Sequence, residues 1–221
     1  MNTLEELRDE FISVIQDTNF TEDWIDARIN ECLKLCSEKV LLPKLESSGT
    51  FSTVVGTPYA AIPTSWSYGR NLYKAEVDSA PEIKVLSSLG LLAREYPDAE
   101  TELETGNIEF IAEVGSQLFY YPIPAEITVV KCSFYITPTV LTADTDTITY
   151  IPENQLEDII LSYLKWKAYN KIEDGAEGGE GGGKPNTATS RKEFWTAIGI
   201  LDESFPVGQS WPDYHRPNGW I

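Results

Sequence analysis

The chain has 221 residues, 42% of them hydrophobic and 24% charged, which is enough apolar chain for one or two domains with a real core. Thirty-five acidic residues face 17 basic ones, a formal charge of −18; such a surface repels nucleic-acid phosphates and excludes tight wrapping of DNA, though not a surface that DNA slides past. No apolar run approaches the roughly 18 residues needed to span a bilayer, so no membrane role is expected.

The opening MNTLEELRDEF has no basic region followed by an apolar stretch, so no secretory signal is expected and the sequon Asn19-Phe20-Thr21 carries no weight. Thr3 and Glu6 form a capping box, and Leu4, Leu7, Phe11, Val14 and Ile15 recur at helical spacing, which predicts a helix over 3–17. Thr21 is the N-cap of a second helix, 21–42, with Glu22 and Asp23 at its positive end and Phe20 and Ile25 placed as a hydrophobic staple. Ile25, Ile29, Cys32, Leu33, Cys36 and Val40 share one face, and Pro43 ends the helix or lies just past its end. Together these helices form a first segment, 1–48. Cys32, Cys36 and Cys132 make no disulfide framework and read as small buried hydrophobes.

Near Ser48-Gly49 the pattern changes. As far as Ile151 the chain is rich in β-branched and aromatic residues broken by Gly and Pro. Strands are expected at 51–55, 71–77, 107–114, 117–123 and 126–137, with Gly115-Ser116 as a hairpin turn. In the last strand Val130, Cys132, Phe134 and Ile136 alternate with Val129, Lys131, Ser133 and Tyr135, the pattern of a sheet covered on one side. Segment 49–151 is therefore read as an inserted antiparallel β-sandwich or barrel.

Pro152 opens a helix over 153–173, within segment 152–174, whose stripe is Leu156, Ile159, Ile160, Tyr163, Leu164 and Lys167. None of the three helices can bury its stripe alone. The expected fold class is α+β: a helical bundle with an inserted β module and an extended C-terminal arm. Residues 175–189, GAEGGEGGGKPNTAT, read as a flexible linker. Ser190 and Glu193 then suggest a capping box for a short helix, followed by an aromatic, proline-punctuated tail. This arm, 190–221, either packs back on its own domain or docks into another subunit or partner. The second reading is preferred, because aromatic anchors dominate interface energetics. Its candidate partner-binding residues are Phe194, Trp195, Ile198, Phe205, Trp211, Tyr214, Trp220 and Ile221.

Signals for chemistry are weak. The glycine tract has no GKS or GKT ending and follows a helix, so it is not a phosphate loop. His215, between Tyr214 and Arg216, is the sole histidine, which excludes a multi-histidine metal site and disfavours a hydrolase. Asp144 and Asp146 resemble part of a calcium loop but lack its glycine and distal glutamate, and read as a polar turn. The pairs Glu5-Glu6, Glu22-Asp23 and Glu157-Asp158 lie at helix starts or on polar faces. No catalytic, cofactor-binding or metal-binding residue is expected.

The order of two helices, a β segment opening with TVVGTPYAAIPTSW (53–66), and then QLFYYPIPAEITVVKCSFYITPTVLTADTDTITYIPENQLEDIILSYLKWKAY (117–169) resembles the adaptor proteins of tailed bacteriophages, which join the portal ring to the tail. The likeness runs from Thr21 to Asp174 and includes no catalytic motif. It implies a twelve-subunit ring that associates with the portal protein and with nozzle or tail-tube proteins. Genome DNA would pass through its channel without specific binding, with no cofactor and no membrane. The implied place is the virion neck, after synthesis in the host cytoplasm, with the C-terminal arm reaching toward the portal. Another neck component, such as a head-completion protein, is the near alternative. A soluble ligand- or carbohydrate-binding β module is the distant one, with Trp66, Tyr68, Tyr73, Tyr120 and Tyr121 lining a groove.

Overall fold

In the computed structural model Thr3 caps α1 (Leu4–Ile15) as its sequence predicts: the Thr3 hydroxyl accepts the Glu6 amide and the Glu6 carboxylate accepts the Thr3 amide, both at 3.2 Å. The structure describes residues 3–16, 19–66, 68–78, 83–86, 88, 90–91, 94, 104–175 and 185–205. Helix α2 (Glu22–Lys39) starts where the Thr21 hydroxyl accepts the Trp24 amide, and it ends before Pro43, which opens a 3-10 turn over Pro43–Leu45. Later in the chain come α3 (Glu153–Gly175) and α4 (Pro185–Ser204).

The chain divides into two compact units, one of Met1–Leu45 with Pro138–Pro206 and one built on Glu46–Thr137. In the helical unit α3 packs against α1, α2 and α4. The predicted stripes meet in its core: Leu4, Leu7, Phe11, Ile25, Ile29, Cys32 and Leu33 are buried with Leu156, Ile159, Ile160 and Leu164. Each such side chain contributes about 1.5–3 kcal/mol relative to leaving it exposed. Residues 138–151 belong to this unit, so the division falls at Thr137 and not at Ile151. The reason is local: Leu141, Ile148 and Ile151 are buried, and Asn30 holds the Leu141 backbone at both its N–H (2.8 Å) and its carbonyl (3.0 Å).

The start of α4 differs from expectation. It begins at Pro185, so residues 185–189 are helical, and Ser190 is a buried interior position and not a cap. Proline suits the first helical turn. A cap for the exposed amides comes from α3: the Glu173 carboxylate accepts the Asn186 amide (3.2 Å), the Thr187 amide (3.3 Å) and the Thr187 hydroxyl (2.6 Å).

In the β unit, β1 (Glu46–Ser52), β7 (Val129–Ile136) and β3 (Tyr68–Val77) form one antiparallel sheet with β7 central. The other runs β2 (Tyr59–Ala61), β6 (Gln117–Tyr121), β5 (Phe110–Val114) and β4 (Lys84–Leu86). It is not wholly antiparallel, because β4 pairs parallel with β5. A parallel pair needs a crossover of a dozen or more residues, which the chain between Leu86 and Phe110 provides. Gly115 (φ +60) takes the first position of the two-residue β5–β6 turn, the position a II′ turn reserves for glycine.

The two sheets share a core of Phe51, Leu72, Ala75, Val85, Ile111, Leu118, Tyr120, Val130, Cys132 and Phe134. On β7 the alternation holds except at Tyr135, which is also buried and lies 5.7 Å from the Tyr73 ring. Strand β1 begins earlier than the apolar run at 51–55, since its Ser- and Gly-rich start still pairs with β7. Trp66 explains the glycine there. Its indole stacks on Phe134 at 4.7 Å and lies against the backbone of Gly49, where any Cβ would overlap the ring.

Candidate functional site

The residues expected to anchor a partner fall into two groups. Phe194 is wholly buried and Ile198 nearly so, both inside the helical unit. Phe194 packs edge-on against Tyr163 at 5.0 Å and lies 5.9 Å from Trp166 and 5.1 Å from Trp195. The structure thus brings Phe194, Trp195 and the α3 aromatics together, and Trp195 remains half-buried. Phe205 lies just past α4, its amide donating to the Asp202 carbonyl at 3.2 Å. Trp211, Tyr214, Trp220 and Ile221, like His215, lie outside the described residues.

Beside this cluster, Trp166, Lys167, Asn170, Thr187, Ala188 and Arg191 line a cleft of about 450 Å³ between α3 and α4. The Lys167 ammonium lies 5.0 Å and the Arg191 guanidinium 5.5 Å from the Trp166 ring centre. Lys167 also pairs with Glu31 at 3.1 Å. Burial opposes ionisation of Glu31, but hydrogen bonds from Lys167 and Tyr163 outweigh it and hold the carboxyl below its ordinary range. The sequence offered only a faint signal for this arrangement, a lysine on an otherwise apolar stripe.

The acidic residues that might have held a cation are committed elsewhere. Arg8, almost fully buried, forms a bidentate pair with Asp26 (3.1 and 2.8 Å) and reaches Asp144 at 3.1 Å and Glu22 at 3.5 Å. The Asp26 carboxylate, by hydrogen bonding, is the largest influence keeping Arg8 charged against the desolvation of its site. Asp146 accepts the Ala143 (2.9 Å) and Thr142 (2.7 Å) amides, and these bonds lower its pKa. The backbone carbonyls of Asp144 and Asp146 in turn accept the first amides of α1. TADTD is therefore a polar turn that seats a helix. Among the described residues no group of three His, Cys, Asp or Glu is placed to hold a metal ion.

Three of the five aromatics expected to line a groove in the β unit point into its interior instead. Trp66, Tyr120 and Tyr121 are buried, and the Tyr120 hydroxyl is occupied, accepting the Val54 amide and donating to the Tyr59 carbonyl. Trp66, Tyr120 and Tyr121 are therefore not presented to a ligand, and the side chain of Tyr68 lies outside the described residues. All three cysteines are free and buried; burial pushes the Cys132 thiol up to about 12 and raises Cys32 strongly, so neither is a ready nucleophile.

Among the described residues no helix is long and apolar enough to cross a membrane. The family model described as SU10 adaptor protein matches residues 2–217, and the chain belongs to this family of phage head-tail adaptors. That makes it a structural bacteriophage protein, of a family that is not an enzyme class. No curated protein matches the chain.

Proposed function

We propose that copies of this chain form a ring at the neck of the virion, joining the portal to the tail and continuing the channel through which genome DNA leaves. The observation that carries this reading is the family match across almost the whole chain, residues 2–217. A ring of twelve, as the resemblance implies, multiplies the −18 charge of each copy. Wherever that charge faces the channel it keeps DNA from adhering. Docking to the portal or to a neighbouring subunit falls to the segment beyond α4, where Phe205, Trp211, Tyr214, Trp220 and Ile221 supply aromatic and apolar anchors, and association with tail proteins to the exposed faces of the two units.

Mass measurement of the purified chain, alone and mixed with its portal protein, tests the proposal. The expected result is a ring-sized species, alone or on the portal. A chain that stays monomeric in both conditions overturns the reading.

A further inference from the structure

The β unit exposes large apolar side chains at one end, where they are held and not loose. Val54 and Val55 follow β1, Ile127 and Val129 precede and open β7, and their exposures are 53, 51, 70 and 57%. The two segments are bonded together. The Thr53 amide donates to the Thr128 carbonyl and the Thr128 amide to the Thr53 hydroxyl, both at 2.9 Å, and the Gly56 amide donates to the Pro124 carbonyl at 3.4 Å. The buried Tyr120 hydroxyl ties this tip to Tyr59, itself exposed and 5.4 Å from the Phe119 ring. Tyr59 opens β2, which stands at the edge of its sheet among the described residues. A contiguous exposed apolar patch rimmed by polar residues marks an interaction surface, and an adjoining edge strand can accept an extended segment.

We propose that this tip receives residues 206–221 of a neighbouring copy. The inference rests on the ring reading and names the surface that would link its members. The segment carries Trp211, Tyr214 and Trp220, and with Asp213 and Arg216 as its acid and base it is formally neutral in a chain of −18. It can therefore cover an apolar patch without the repulsion that other acidic parts of the chain would meet. Pro206, Pro212 and Pro217 favour an extended path and limit the entropy lost on docking. Fully extended, the segment reaches roughly 50 Å. A tail on one copy and its receptor on the next form a heterologous contact, the kind that closes rings.

The test mixes two full-length variants, one carrying Val55→Cys and the other Gln209→Cys, Ser210→Cys or Asn218→Cys in separate trials, and treats them with a bismaleimide. The native cysteines are buried and do not compete. The expected result is a cross-linked pair of the two variants. Adding Ile127→Asp to the acceptor, at an exposed site that leaves the melting temperature unchanged, should cut the yield at least about tenfold, a loss of about 1.4 kcal/mol. A mixture that assembles by mass but gives no cross-link from any of the three positions overturns the docking and leaves the ring standing. A mixture that stays monomeric and uncross-linked both alone and with the portal protein overturns both.

Discussion

The helical unit and the β unit treat their large apolar residues differently. In the helical unit the sequence suggested a surplus, an aromatic helix beyond a glycine tract with nothing to cover it, yet Phe194 and Ile198 are buried against α3. In the β unit the sequence suggested an antiparallel sandwich or barrel, yet Val54, Val55, Ile127 and Val129 stand in solvent at a hydrogen-bonded tip. The burial of Phe194 and Ile198 shows that apolar residues beyond the glycine tract need not all face a partner. What matters is whether the parent fold offers a surface that buries them. A long helix such as α3 presents more than one face and can take a further helix. A strand end has neighbours only along its own sheet, so the residues that overrun it stay exposed.

The largest expected effect tests the helical side of this contrast. Phe194→Ala should destabilise the isolated chain by about 3–5 kcal/mol, read as a lowered thermal midpoint, because it empties a filled aromatic site between α3 and α4. If Phe194 served only to grip a partner, the free chain would melt unchanged. On the β side, Gly49→Val should cost about 1–3 kcal/mol, since its side chain must displace Trp66 from the Gly49 backbone and from Phe134. Near-ultraviolet circular dichroism should lose the Trp66 signal, and unchanged spectra and stability would mean that the indole does not pack there.

The smallest effect sharpens the α3–α4 joint. The Thr187 hydroxyl, followed by the amides of residues 186 and 187, holds the Glu173 carboxyl below its ordinary range against a smaller desolvation. A depressed folded-state pKa contributes stability that is present above the unfolded value, near ~4.3, and is lost as pH falls through the folded value. Glu173→Gln should therefore lower the melting midpoint slightly at neutral pH and match the wild type in acid. A difference that persisted below the carboxylate range would place the effect outside this cap.

Local grammar made much of the fold legible. Thr3, Glu6 and Thr21 mark helix starts because a cap needs only a side chain and amides two or three residues on. The alternation of Val130, Cys132 and Phe134 marks a half-covered strand because successive side chains point to opposite faces. The adaptor family was likewise visible in residues 53–66 and 117–169, whose order the match over 2–217 spans. What the sequence by itself could not determine depended on partners distant along the chain. Glu173 replaces Ser190 as the cap of α4, Arg8 gathers Asp26 and Asp144, β4 pairs parallel with β5 across a long crossover, and Leu141, Ile148 and Ile151 join the helices and not the strands. The physical reason is the same in each case. A hydrogen bond, an ion pair or a buried face is satisfied by whichever group the folded chain brings within reach, and that proximity is a property of the tertiary structure alone.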